Sequence, residues 1–187
     1  VTVNLLFVVS CLPIVTIGVA KISLYQTIFE VKRSRRIPVF KIYIRAFKQN
    51  LKLGFQLGLL ELGLFLISVV DLSLFWSQTG VAFQLIKAIC LGILIFLTLV
   101  MLASYPIAAR YELTWKEVLQ KGLLLVSFNF VWFFLMLAII LLIVMLLYLS
   151  GFTLVLGGSA FLLFGFGLLA FCQAGLMEKL FAKYQAD

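Results

Sequence analysis

The chain has 187 residues, of which 65% are hydrophobic and 12% charged, with a mean hydropathy of +1.23 and a net charge of +8. A soluble domain is about 45–50% apolar and about 25% charged, so this composition excludes a water-exposed globular domain and predicts an integral membrane protein. The sequence has no histidine, which removes the commonest general base and metal ligand and with it His-dependent hydrolases and zinc proteases of the HExxH type.

The first apolar run covers Val1 to about Ala20 and contains Pro13. Proline removes a backbone hydrogen bond, so this span is predicted to kink at Pro13 or to break into a re-entrant turn, and the opened backbone could line a solute site. The chain begins inside this run without a methionine, so residues preceding Val1 are expected in the native protein, and no signal-peptide pattern is read.

A basic segment follows. From Phe40 to Lys52, Phe40, Ile44, Phe47 and Leu51 recur at helical spacing, and Lys41, Arg45, Lys48 and Lys52 repeat it one residue later. One residue is a rotation of about 100°, so the basic stripe flanks the apolar one. Residues 38–52 are therefore predicted to form an interfacial helix started at Pro38, binding anionic lipids or docking a cytoplasmic partner.

The second span is predicted over about Leu53–Val70. It holds the GxxxG pair Gly54 and Gly58 and an acidic residue, Glu61, about 12 Å from Leu53 at 1.5 Å per residue. A central charge costs about 2.5–3.5 kcal/mol, less than the about 4–7 kcal/mol supplied by the surrounding Leu, Ile, Phe and Val. The span inserts, but Glu61 calls for a polar partner or a proton. Gln56 and Asn129 are the partners expected at comparable depth, and the three form a candidate intramembrane polar site.

Three further spans are predicted over about Ile89–Ala109, Leu123–Leu149 and Thr153–Leu176, with Trp132 packed between helices. The last is rich in small residues, including Gly158, Gly165, Ala170 and Ala174, which suit close helix packing. Cys11, Cys90 and Cys172 all fall in apolar runs with no CxxC pair, so buried thiols are expected rather than a metal or redox site.

Charge sorts by loop. The segment from Lys21 to Lys52, the loop after the third span (Arg110, Lys116, Lys121) and the tail (Lys179, Lys183) hold every basic residue except Lys87. By the positive-inside rule this predicts a multi-pass plasma-membrane protein with its N-terminal edge outside and its C-terminus cytoplasmic. Basic residues that hug membrane boundaries serve orientation and lipid attraction, so nucleic acid is not expected as a partner. The fold class is an all-α bundle of about five transmembrane helices in a single domain, 1–187.

The stretch Asn4–Gly18, NLLFVVSCLPIVTIG, followed by Leu24-Tyr25 and by Phe40, Phe47, Asn50 and Lys52, resembles the YesL-like family of small multi-spanning bacterial membrane proteins. It departs from that family at Val19-Ala20-Lys21-Ile22-Ser23, where a proline or small-residue turn is usual. The resemblance implies a non-catalytic accessory protein of a carbohydrate ABC importer, binding its ABC permease subunits. An autonomous channel or carrier with a path at Glu61 and Asn129 is the alternative. No enzyme activity and no cofactor are expected, and a homo-oligomer is compatible with the small-residue faces.

Overall fold

A computed structural model describes residues 2–34, 38–78 and 80–184, with the side chain of Tyr184 outside the described set. Among these residues there are helices and no strand: α1 (Thr2–Ser10), α2 (Ile17–Arg33), α3 (Val39–Gln49), α4 (Leu51–Phe75), α5 (Val81–Arg110), α6 (Trp115–Phe128), α7 (Phe130–Leu147), α8 (Gly151–Ala160) and α9 (Phe166–Tyr184). A 3₁₀ turn at Ile14–Thr16 leads into α2, and a π-helical segment at Phe161–Gly165 joins α8 to α9. Among the described residues, five helical stretches are long and apolar enough to cross a membrane: Ile14–Arg33, Leu51–Phe75, Val81–Arg110, Phe130–Leu147 and Gly151–Lys183. The chain is an all-α membrane bundle.

The first span differs from the sequence expectation. The helix breaks after Ser10, and the long apolar helix starts at Ile14 rather than at Val1. Phe7 packs against Phe166 of α9, with ring centroids 5.1 Å apart, while Tyr25 reaches Gln173 of the same helix. Those two contacts lie about 10 Å apart along α9, against about 27 Å for an unbroken helix from Phe7 to Tyr25. Pro13 therefore marks a fold-back, and α1 lies beside the start of α2. The Thr16 hydroxyl bridges this break by donating to the carbonyls of Ser10 and Pro13 at 2.6 and 2.8 Å.

Helices α2 and α4 run antiparallel through a contact made by glycine. A Cβ on Gly18 would overlap the Gly54 carbonyl and the backbone of Gly58, and a Cβ on Gly54 would meet the Val19 backbone. The GxxxG pair thus packs within the chain, where bare backbone lets two helices approach closely. Of the fifth-span small residues, Ala170 and Ala174 are buried. Gly158 faces open space, and Gly165 is covered by its own Phe161, so neither packs against a second helix as the sequence pattern suggested.

Two helix breaks are repaired by amide side chains from elsewhere in the fold. Pro106 lies inside α5 and has no N–H, which leaves the carbonyl of Leu102 without its ladder donor. The Nε2 of Gln173, a residue only 2% exposed, donates to that carbonyl at 2.6 Å. In the π segment, Leu162 O and Gly167 N are five residues apart, the pairing a π turn would make. The Asn4 carboxamide sits between them, donating to Leu162 O and accepting from the Gly167 N–H at 2.5 Å.

Other elements shift modestly. The third span begins at Val81, which takes Lys87 inside α5, where its ammonium binds the Trp76 and Gln78 carbonyls beyond the end of α4. The fourth is divided at Asn129, so that α6 is a separate helix. Trp132 is 55% exposed and faces outward, not between helices. Cys11 and Cys90 are half-buried and Cys172 is exposed, so the expectation of buried thiols is also corrected.

Candidate functional site

One face of α2 carries three polar side chains that reach other helices. Lys21, Tyr25 and Lys32 are spaced i, i+4 and i+11, which places them within about 40° of one another around the helix. Lys32 pairs with Glu178 at 2.8 Å. The Tyr25 hydroxyl donates to Gln173 Oε1 at 2.5 Å, so one amide serves both Tyr25 and the Leu102 carbonyl. Lys21 reaches Glu61, with its Nζ 2.7 Å from Oε1 and 2.8 Å from Oε2.

Tyr105 of α5 completes this last cluster. Its hydroxyl donates to Glu61 Oε2, and the Lys21 ammonium lies 4.7 Å from the centre of its ring. Side chains on a helix lean toward its N-terminus. Lys21 and Tyr105 stand on helices that run opposite to α4, so they lean toward Glu61 while Glu61 leans toward them. A carboxylate ten residues into α4, about 15 Å from its start, is thereby held by an ammonium and a phenol.

These partners are not the ones the sequence suggested. Gln56 is exposed and borders a cleft at the basic end of the bundle, away from Glu61. Asn129 is the junction residue between α6 and α7, and its amide donates to the Leu125 carbonyl at 3.1 Å. A predicted span ending at Ala20 puts Lys21 in the basic loop; the fold-back at Pro13 moves it into the bundle. The i, i+4, i+11 spacing of Lys21, Tyr25 and Lys32 is the sequence signal for this face, and Glu61 is the unmatched charge it points to.

The Lys21 and Glu61 side chains are 29% and 31% exposed. They border a cavity of about 250 Å³ walled by α2, α4 and α5, including Ile14, Gly58, Phe65, Leu94, Leu97, Thr98 and Met101. Its walls are otherwise almost wholly apolar. Among the described residues no cluster of His, Cys, Asp or Glu could hold a metal ion.

Helix α3 presents three faces. Ile42, Tyr43 and Ala46 are buried against the bundle, Phe40 is 58% exposed, and Lys41, Arg45 and Lys48 are exposed. The helix ends at Gln49, where the Asn50 amide donates to Gln26 Oε1 and the Ala46 carbonyl. Leu51 and Lys52 therefore belong to α4 and not to the interfacial helix expected over 38–52. Burial pushes the pKa of the Tyr43 phenol up to about 12.

A second, polar cleft of about 1010 Å³ opens at the same end. The α3–α4 junction (Gln49, Asn50, Lys52, Gln56) forms one wall and the α5–α6 connection (Arg110 to Glu117) the other. Thr114 fixes the start of α6, its N–H and hydroxyl donating to Glu117 Oε2 at 2.8 and 2.9 Å, an arrangement of the capping-box kind.

Residues 1–72 match a family described as a protein of unknown function, DUF624. The matched segment holds α1 to α3 and most of α4, and so includes Asn4, Gly18, Lys21, Gly54, Gly58 and Glu61. Tyr105, Leu162 and Gly167, which bond Glu61 and Asn4, come from the remainder of the chain. No curated protein and no solved structure matches the chain.

Proposed function

We propose that this protein is a non-catalytic accessory subunit of a carbohydrate ABC importer in the bacterial plasma membrane, with its basic end cytoplasmic. The observation that carries this reading is the bonding of the intramembrane carboxylate to the neighbouring helices α2 and α5. Both oxygens of Glu61 are engaged by Lys21 and Tyr105, as suits a bundle whose polar groups hold helices together rather than pass a solute. The resemblance of the amino-terminal third to YesL-like proteins supports the importer association. The polar cleft between the α3–α4 junction and the α5–α6 connection offers a cytoplasmic permease segment a place to dock, and the exposed Lys41, Arg45 and Lys48 suit anionic lipid beside it.

Copurification in mild detergent tests this. Permease subunits should accompany the tagged chain, and deletion should impair oligosaccharide uptake. Intact uptake with no associated permease would overturn the reading. The cavity beside Lys21 and Glu61 favours one second reading, a solute carrier. It requires flux in vesicles containing this chain alone, abolished by Glu61→Gln; absence of flux removes it.

A further inference from the structure

We infer that the cavity between α2, α4 and α5 is a lipid-side binding site for a single-chain amphiphile with an uncharged hydrogen-bonding head, such as a hydroxyl. Three observations lead there. First, the site lies inside a membrane-spanning stretch, since Glu61 is about 15 Å along α4 from Leu51, within the apolar helix Leu51–Phe75. Ile14, Phe65 and Thr98 at its rim are exposed, so it opens sideways toward the acyl chains.

Second, the polar floor retains hydrogen-bonding capacity. The Lys21 ammonium has three N–H groups and directs two at Glu61, with the Tyr105 ring 4.7 Å from its nitrogen. Glu61 Oε1 accepts only from Lys21, whereas Oε2 also accepts from Tyr105. One donor and one acceptor side by side, with their side chains 29% and 31% exposed, match a hydroxyl, which donates and accepts through one atom. Hydrocarbon offers neither group a partner. A charged head fits worse, because Lys21 and Glu61 already neutralise each other and a third charge would be buried unpaired.

Third, size selects the occupant. A volume of about 250 Å³ admits a slender chain but not a helix about 10 Å across. The apolar walls, Leu94, Leu97 and Met101 among them, would enclose that chain while its head reaches the ion pair.

The test uses the full chain carrying Phe65→Trp, placed in phosphatidylcholine nanodiscs. The new indole stands in the cavity wall, and the native Phe65 chain supplies the background from Trp76, Trp115 and Trp132. Titration with 11-bromoundecanol should quench the added emission along a saturating curve. Bromoundecane and 11-bromoundecanoate should give only the weak, linear quenching of partitioning. Leu97→Phe, which fills the cavity without touching the ion pair, should raise the half-saturation concentration at least tenfold, and Leu94→Phe serves if that variant does not fold. Linear quenching by all three probes, or saturation unchanged in the filled variant, would overturn the inference. Because the chain is measured alone, the outcome is independent of any permease partner.

Discussion

Gln173 of α9 replaces, for the carbonyl of Leu102 in α5, the N–H that Pro106 cannot supply. The same amide accepts from Tyr25, so one side chain joins α2, α5 and α9 at the centre of the bundle. Gln173→Leu leaves two buried polar groups unpaired, each costing about 1–3 kcal/mol. Adding Pro106→Ala restores the helical donor to Leu102. Denaturant unfolding in detergent should therefore show that the double variant loses less than Gln173→Leu alone when each is referred to its own background, a coupling that a double-mutant cycle reads directly.

Asn4 performs the equivalent repair at the π segment. Asn4→Leu exposes the Leu162 carbonyl and the Gly167 N–H to an apolar surrounding, and a loss of about 2–6 kcal/mol is expected from two unsatisfied groups. Thermal unfolding checks it. A variant as stable as the parent would show that the ladder closes by itself once the wedge is gone.

The glycine contact between α2 and α4 separates packing from propensity. Gly18→Ala sets a methyl against the backbone of Gly54 and Gly58, where neither helix can yield without moving, and about 1–3 kcal/mol of destabilisation is expected. Gly63 lies on α4 where an added methyl would meet nothing within 4 Å. Gly63→Ala should be neutral or gain up to about 1 kcal/mol from helix propensity. Melting temperatures of the two variants, measured side by side, should move in opposite directions or differ by several degrees.

Lys21→Met strands the Glu61 carboxylate within the bundle. Breaking a buried pair costs about 3–5 kcal/mol, and the partial exposure of both side chains places this pair at the lower end. Lys21→Met combined with Glu61→Leu removes both charges and should recover most of the loss. Equal instability of the single and double variants would show that Lys21 acts through packing rather than charge.

Acid should loosen the first turn of α6. Hydrogen bonds from the Thr114 N–H and hydroxyl hold the Glu117 carboxyl below its ordinary range. A carboxyl with a depressed folded value contributes stability above its unfolded pKa and loses it as pH falls through the folded value. Amide exchange at residues 115–118, corrected for the intrinsic rate, should therefore accelerate on acidification through and below the ordinary carboxylate range. Glu117→Gln should remove that pH dependence.

Membrane class, helical fold and the approximate spans two to five were legible in the chain, because apolar runs of bilayer length admit few other structures. The amphipathic pattern of α3 was legible too, since periodicity is a local property. By itself the sequence also determined that Glu61 needed a partner, because a carboxylate in hydrocarbon is costly wherever it sits. Only the tertiary structure decided that Lys21 and Tyr105 supply it, and that Asn4 and Gln173 mend the breaks at Leu162 and Leu102. The reason is geometric. Pro13 folds α1 back beside α2, which shifts the register of the first span and carries Lys21 from an apparent loop into the bundle, and partners 40 to 163 residues apart are set by helix packing that no local pattern encodes.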